Sequence, residues 1–437
     1  MDMTVYRLLI TGARASGACL AAALMFAGCN TKDYLDVQAP SRIPAANLEN
    51  PENAQLLVNG AVADFECAFG SYIVAGGLIG EELEDATQTS DRYPYDQRRL
   101  IPGSTRYSTS SCEGIGTYSP LQTARVSADN IRRLLEGWTD QQVPNRQLLL
   151  ATAAAYEGYS DVLLGEGFCS VALSVFNPDK TIAYGGEITP AQAFDSAITR
   201  FSQAITAGQT AGAAAQSIVT MALVGRARAK LDRGDLAGAK TDAALVPAAF
   251  VFTATASAVT TRRYNRVWAD NGLVGTDANS ASSVGAYYRT LNDPRVVVTK
   301  PDVPVSRIGV PIYVQGKYAN AASSMRLATG DEAQLIVAEA DITANPANAL
   351  LIINSFRQKG NEPLLVTPTA AELKAALIEE RRRALFLEGQ HLGDLIRYQL
   401  PFSPAAGAAF PAGGTYGTQR CMPLPDVERL NNPVLHT

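Results

Sequence analysis

Histidine is almost missing from this chain. Two occur in 437 residues, His391 and His436, so neither a Ser-His-Asp triad nor a multi-histidine zinc site has the parts it needs. Tryptophan is as scarce, at two. No extended block of Lys or Arg is present, and 37 basic against 42 acidic residues leave a net charge of −5. Nucleic-acid affinity rests on neutralising phosphates, so a nucleic-acid ligand is not expected. The six cysteines form no Cys-x-x-Cys pair, which removes zinc-ribbon and thioredoxin-like readings. No Walker loop, GxGxxG, HExxH or EF-hand pattern is present either, so no cofactor and no metal are expected. What is there is a core-forming composition, 47% hydrophobic and 18% charged, with carboxylates, tyrosines and backbone left to carry any chemistry.

Residues 1–28 read as an export signal. Arg7 and Arg14 precede an apolar, Ala-rich stretch from Ala15 to Ala27 that is too short to span a bilayer. The stretch ends at Gly28-Cys29. Met25-Phe26-Ala27-Gly28-Cys29 resembles a bacterial lipoprotein signal, in which the cysteine becomes the lipidated first residue, with Phe26 where that pattern prefers Leu. Acyl chains at ~0.8 kcal/mol per buried CH₂ would then hold the protein on a membrane, and residues 29–50, with Pro40 and Pro44, read as the tether. Past the signal, no run comes near the ~18 apolar residues a spanning helix requires. In an oxidising compartment, Cys67, Cys112, Cys169 and Cys421 are expected to form two disulfides. Of three connectivities, Cys67 with Cys112 and Cys169 with Cys421 is the one favoured.

Helical periodicity dominates residues 51–437. Ile131, Leu134, Leu135 and Trp138 share a face; Leu149, Ala153, Tyr156 and Leu163 share another. Thr189-Pro190 is a cap and first-turn pair before the stripe Phe194, Ala197, Ile198, Phe201 and Ile205, which Gly208 to Gly212 is expected to break. A further helix runs to a Gly-Asp turn at 234–235, and another starts at Leu236. Helix, break, helix and Gly-Asp turn, with small residues on the packed faces, resembles a tetratricopeptide repeat, and a plain helical hairpin fits as well. Helical pattern returns at Asp331 to Ala340, Ala347 to Gln358 and Ala370 to Tyr398. Two stretches look irregular, Glu66 to Pro120 and Val251 to Arg326, with short strands expected at Val296 to Val298 and Ile312 to Val314. The class is therefore mainly α, with long loops and a few short strands.

Long irregular segments are where binding normally resides. Tyr93, Tyr95, Trp268, Tyr287 and Tyr288 fall in the two excursions and are the aromatic candidates for stacking on sugar rings; a core role fits each equally. Glu81, Glu82, Glu84, Asp85, Asp91 and Asp96 form the densest acidic stretch. Paired carboxylates could serve glycoside hydrolysis, but a solvated acidic loop accounts for them more simply, and no catalytic residue is assigned.

Three C-terminal stretches look like the SusD/RagB family of outer-membrane nutrient-binding lipoproteins. The first is Asp331-Glu332-Ala333-Gln334-Leu335-Ile336-Val337-Ala338-Glu339-Ala340, followed by Asn354-Ser355-Phe356-Arg357. The second runs from Glu379-Glu380-Arg381-Arg382-Arg383 through Glu388-Gly389-Gln390-His391 to Asp394 and Arg397. The third is Cys421-Met422-Pro423-Leu424-Pro425-Asp426 with Asn431-Asn432-Pro433. Leu163 to Phe168 also matches the family's turn after its first long helix pair. Ala384 stands where the family usually has Glu, and Leu392 where it has an aromatic, which suggests a distant member. The resemblance implies one domain on four tetratricopeptide-type helix pairs, without enzymatic activity. It implies a lipid-anchored position on the outer face of the outer membrane, handing oligosaccharides or sometimes peptides to a TonB-dependent transporter.

In the Arg-rich segment, Leu373, Ala376, Leu377, Ala384 and Leu385 define an apolar face on which charges must be paired. Glu380, Arg383, Glu388, Asp394 and Arg397 are expected to form a structural ion-pair network there, rather than an anion site, with His391 packed beside it. Two rival functions share the anchor: a tetratricopeptide adaptor for protein assembly, and a surface glycan hydrolase.

Overall fold

The computed structural model describes residues 48–436 except 275–276, 303–305 and 307. The signal, Cys29 and nearly all of the tether lie outside the described residues. Asn50 accepts the Asn53 N–H and opens a short 3-10 turn, Pro51–Asn53, that leads into α1, Ala54–Ile79. Every residue of α1 from Phe65 to Ile79 is buried. This corrects the reading of Glu66 to Pro120 as irregular: residues 66–79 are helix, single helical turns follow at Tyr93–Asp96 and Thr105–Ser108, and the next long helix begins at Tyr118. A helix buried on all sides has no amphipathic stripe, so periodicity cannot reveal it. α1 is also long and apolar enough to cross a bilayer, which corrects the expectation that nothing past the signal is; 83% of its apolar window is inside the protein.

Five more helices follow: α2 Tyr118–Gly137, α3 Arg146–Gly167, α4 Pro190–Ala211, α5 Gln216–Asp232 and α6 Leu236–Ala243. Each packs on the next in chain order, as in tetratricopeptide-type arrays, and α1 lies against α2 and α3. The start of α4 is set by a capping box in which Thr189 and Gln192 satisfy each other's backbone N–H groups, with Pro190 in the first turn. Its end lies at Ala211, so Gly208 stays helical and Gly212, at φ 73°, terminates it. The Phe201 ring of α4 fits a notch between two glycines. A Cβ on Gly158 of α3 would lie 2.9 Å from that ring, and one on Gly225 of α5 only 2.3 Å.

The array continues across the second excursion, where α6 packs on α7 (Gly330–Ala344), and α7 on α8 (Pro346–Lys359) and α9 (Ala370–Ala384). The stretch expected as one helix to Tyr398 is split: α9 stops at Ala384 and α10 spans His391–Arg397. Between them, left-handed Leu387 and Gly389 turn the chain so that Phe386 and Leu387 enter the main core. Residues 49–437 cluster as one unit.

Short antiparallel pairs organise the excursions. Val251–Ala254 and Met325–Thr329 pair and so stitch the second one shut at its root. The strands expected at Val296 to Val298 and Ile312 to Val314 form at the ends of those runs, as Val298–Thr299 and Val314–Gln315, which pair with each other. Leu83–Asp85 pairs with Ser282–Val284, which joins the first excursion to the second. Both favoured disulfides are present. Cys67–Cys112 ties α1 to the first excursion, and Cys169–Cys421 ties the end of α3 to the C-terminal segment.

Candidate functional site

The pairing of Leu83–Asp85 with Ser282–Val284 carries the acidic stretch and Tyr287 to the same place. There α9 and the loop at 403–416 complete a cavity of about 160 Å³, lined by Glu81, Glu84, Asp96, Arg98, Tyr287, Arg382 and Tyr416 among others. Its charged groups are tightly held. Glu81, left-handed at φ 70°, ion-pairs with Arg382 at 3.3 Å and accepts the Ser403 N–H at 2.5 Å. Burial still lifts its carboxyl above the ordinary value, against Ser403, Arg382 and Arg98. Glu84 ion-pairs with Arg289 and accepts the Ala286 N–H at 3.0 Å. Asp96 accepts the Asp85 N–H at 2.7 Å, and burial pushes its pKa well up.

Guanidiniums cover the aromatic faces. Arg382 lies 3.5 Å from the Tyr287 ring centroid and Arg98 4.9 Å from that of Tyr416. The Tyr287 hydroxyl donates to Glu379, which also pairs with Arg383. The cavity thus offers an array of fixed donors and acceptors with edges of aromatic rings, suited to a hydroxyl-rich or charged ligand. Its two half-buried carboxylates, Glu81 and Glu84, are ion-paired, an arrangement for binding more than for proton transfer.

The aromatic candidates do not converge. Only Tyr287 reaches this cavity. Tyr95 and Tyr288 are 1% and 0% exposed and belong to the core, the second of the two roles open to each. Tyr95 lies near Tyr107, and Tyr288 against Phe386, Tyr287 and His391; alternating burial on a short helical turn put each next to a more accessible neighbour. Tyr93 lines a separate cavity of about 90 Å³ with Asp91, Arg99 and Arg106, and Tyr95 forms part of its wall. Trp268 is partly buried and lies on Gly272, where a Cβ would sit 2.4 Å from its ring. Tyr416 and Arg98, which do line the cavity, were missed because Tyr416 falls outside both excursions and a buried arginine in a loop carries no motif; Arg382, on α9, was read only as part of the Arg-rich segment. A cavity of about 490 Å³ in the helical frame, lined by Glu166, Phe194, Asp232 and Arg397, contains none of the aromatic candidates.

The five charges expected as one network belong to three groups. Asp394 pairs with Arg397 at 2.8 Å and with Arg381 at 2.8 Å, and Arg397 reaches Glu339 and Asp232. Arg381, 3% exposed, is the buried centre that the expectation omitted. Its charge and that of Arg397 draw the Asp394 pKa down to about 2 against the cost of burial. Glu380 and Arg383 meet in a second group with Asp293, Arg295, Arg357 and Glu362. Glu388 pairs with Lys317 at 2.6 Å in a third. The expectation of a single network failed because adjacent residues leave α9 in different directions: Arg381 reaches across the break after Ala384 to Asp394, while Glu380 pairs with Arg295. His391 is buried and neutral: desolvation, with help from Arg382, lowers its pKa to about 3.

No family profile and no curated protein sequence matches the chain. Solved structures do. A SusD-like carbohydrate-binding protein from Bacteroides vulgatus superposes with a TM-score of 0.67 at 15% identity, over 89% of this chain and 97% of its own. The chain has the SusD-like fold. Surface glycan-binding protein A from Bacteroides uniformis gives a TM-score of 0.67 at 15% identity, over 88% and 98%. A SusD homolog from Bacteroides thetaiotaomicron gives 0.66 at 14%, over 87% and 95%. At such identities the likeness is one of fold alone.

Proposed function

We propose that this protein is a non-enzymatic, lipid-anchored binding protein of the outer membrane's outer face, which captures an oligosaccharide and passes it to a TonB-dependent transporter. The observation that carries the reading is the cavity at Tyr287, where two excursions joined by one strand pair converge on fixed donors and acceptors. Two of the similar structures are described as a carbohydrate-binding and a glycan-binding protein, and the export signal ending in Cys29 supplies the anchor. At about 160 Å³ the cavity is smaller than the ~300–1,000 Å³ typical of drug-sized ligands. It therefore takes one end or one residue of a chain, while the rest of the oligosaccharide lies outside.

Tyr287→Ala removes the ring on which Arg382 rests. It should weaken glycan binding, measured by titration calorimetry, by ~1–2 kcal/mol or more, with helical content and melting held. Binding unchanged by Tyr287→Ala but lost in Tyr93→Ala or Trp268→Ala would move the site. Glycan hydrolysis abolished by Glu81→Gln or Glu84→Gln would replace the reading with a hydrolase, and a protein that binds no glycan would favour the adaptor. For the anchor, Cys29→Ser should release the protein from membranes.

A further inference from the structure

Next to the cavity at Tyr287 lies another of about 240 Å³, whose lining includes Arg98, Phe402, Gln419 and Arg420 and no acidic residue. Arg98 lines both cavities. The two arginines share one ring, with Arg98 Cζ 5.4 Å and Arg420 Cζ 4.6 Å from the Phe402 centroid. Their hydrogen bonds hold them without neutralising them. Arg98 donates through Nη2 to the Pro404 carbonyl, and its buried Nε has no acceptor. Arg420 donates through Nη2 to the carbonyls of Leu395 at 3.0 Å and Leu400 at 2.8 Å. Neither arginine forms an ion pair among the described residues, whereas buried Arg132, Arg228 and Arg381 each do.

The nearest acids face the other cavity and are otherwise engaged. Glu81 is paired with Arg382, and Asp96 is held toward its neutral form by burial. Burial lowers the Arg98 pKa; Glu81, Tyr416 and Asp96 oppose this, and Arg420 adds to it. A buried cation without a counter-ion is costly, and the cost is relieved by an anion. The planar guanidinium fork fits carboxylate and sulfate oxygens two at a time.

We propose that the ligand is an acidic glycan, whose carboxylate or sulfate ester binds at Arg98 and Arg420 while the adjoining sugar residue occupies the cavity at Tyr287. This rests on the glycan reading above and adds the charge of the substrate to it. Because Arg98 belongs to both cavities, the anionic group and the neighbouring ring are adjacent on one chain.

The test titrates purified protein with three probes: an oligogalacturonate, the same oligosaccharide with its carboxyls reduced to alcohols, and a sulfated galactan oligosaccharide. At least one anionic probe should bind about tenfold or more tighter than the reduced one, the scale of a hydrogen bond to a charged group. Whichever anionic probe binds tighter identifies the acid as uronate or sulfate. The preference should shrink as salt is raised. Arg420→Gln should bring the anionic-to-neutral ratio to about one, Arg420→Lys should keep part of it, and melting curves check that both variants fold. Equal or tighter binding of the reduced probe, or a preference that survives Arg420→Gln, overturns the charge assignment and leaves the glycan reading standing. Failure of all three probes to bind overturns both.

Discussion

Glu82 shows how single residues carry the pH response of this fold. It is 1% exposed and accepts the Leu387 N–H at 2.7 Å. Burial raises its pKa to about 7, against Leu387, Lys317 and Arg382, with Glu388 adding to the rise. A carboxyl whose folded pKa lies above the unfolded value makes its full contribution below the unfolded pKa. That contribution is lost as pH climbs through the folded one. Glu157 and Glu332, both raised to about 7, act in the same window, and Asp161, raised to about 6, in part of it. Asp394 runs the other way: at about 2 its contribution is present above the unfolded carboxylate pKa and is lost only in strong acid. Glu82→Gln keeps the acceptor and removes the charge. It should match the wild type near pH 4 and exceed it at pH 8, by on the order of 3 kcal/mol in denaturant melts. Equal stability of the two proteins at pH 8 would show that Glu82 ionises freely in the fold.

Between helices, the decisive contacts are made by residues with no side chain. Gly225 and Gly158 admit the Phe201 ring, and Gly165 likewise admits Phe194, whose Cε1 would be 2.6 Å from an added Cβ. Ala is the better helix former by ~1 kcal/mol, so Gly225→Ala gains in propensity and loses in packing. At 2.3 Å the clash wins, and overpacking on the scale of ~1–3 kcal/mol should leave the variant less stable in thermal melts. Gly60, exposed on α1 with nothing near its missing Cβ, is the control: Gly60→Ala should stabilise by ~0.5–1 kcal/mol. Both signs need to hold for the close-approach argument to stand. The same elements show what periodicity could and could not reveal. α4 was legible in its cap, its stripe and its start at Pro190. The inner half of α1 was not, because burial on every side erases the contrast that a stripe requires.

For the molecule as a whole, chain closure rests on the C-terminal segment. Cys169–Cys421 spans a separation of 252 residues, and beside it the Cys169 N–H donates to Met422 and the Met422 N–H to Gly167, at 2.9 and 2.8 Å. The double change Cys169→Ser, Cys421→Ser should cost ~2–5 kcal/mol, with strain and residual structure setting the value. In hydrogen exchange the loss of protection should concentrate in residues 421–436 and at the end of α3. A uniform loss, or none, would mean that the backbone pairing and the Met422 core contact hold the segment without the disulfide.

Composition, periodicity and residue types determined the helical class, the positions of most helices and the approximate places of two short strands. These follow from local preferences that act within a few residues, and they are written in the order of side chains. The resemblance of the C-terminal stretches added the architecture that the SusD-like structures share. Tertiary structure alone decided which tyrosines face a cavity, because Tyr287 and Tyr288 are neighbours in sequence and differ only in which side of one turn meets the core. It alone joined Glu81, Arg98, Arg382 and Tyr416, of which Glu81 and Arg382 stand 301 residues apart in sequence, and left Arg98 and Arg420 together without an ion-pair partner among the described residues. A site of this kind is a product of long-range packing, which sets distances between residues that local sequence does not relate.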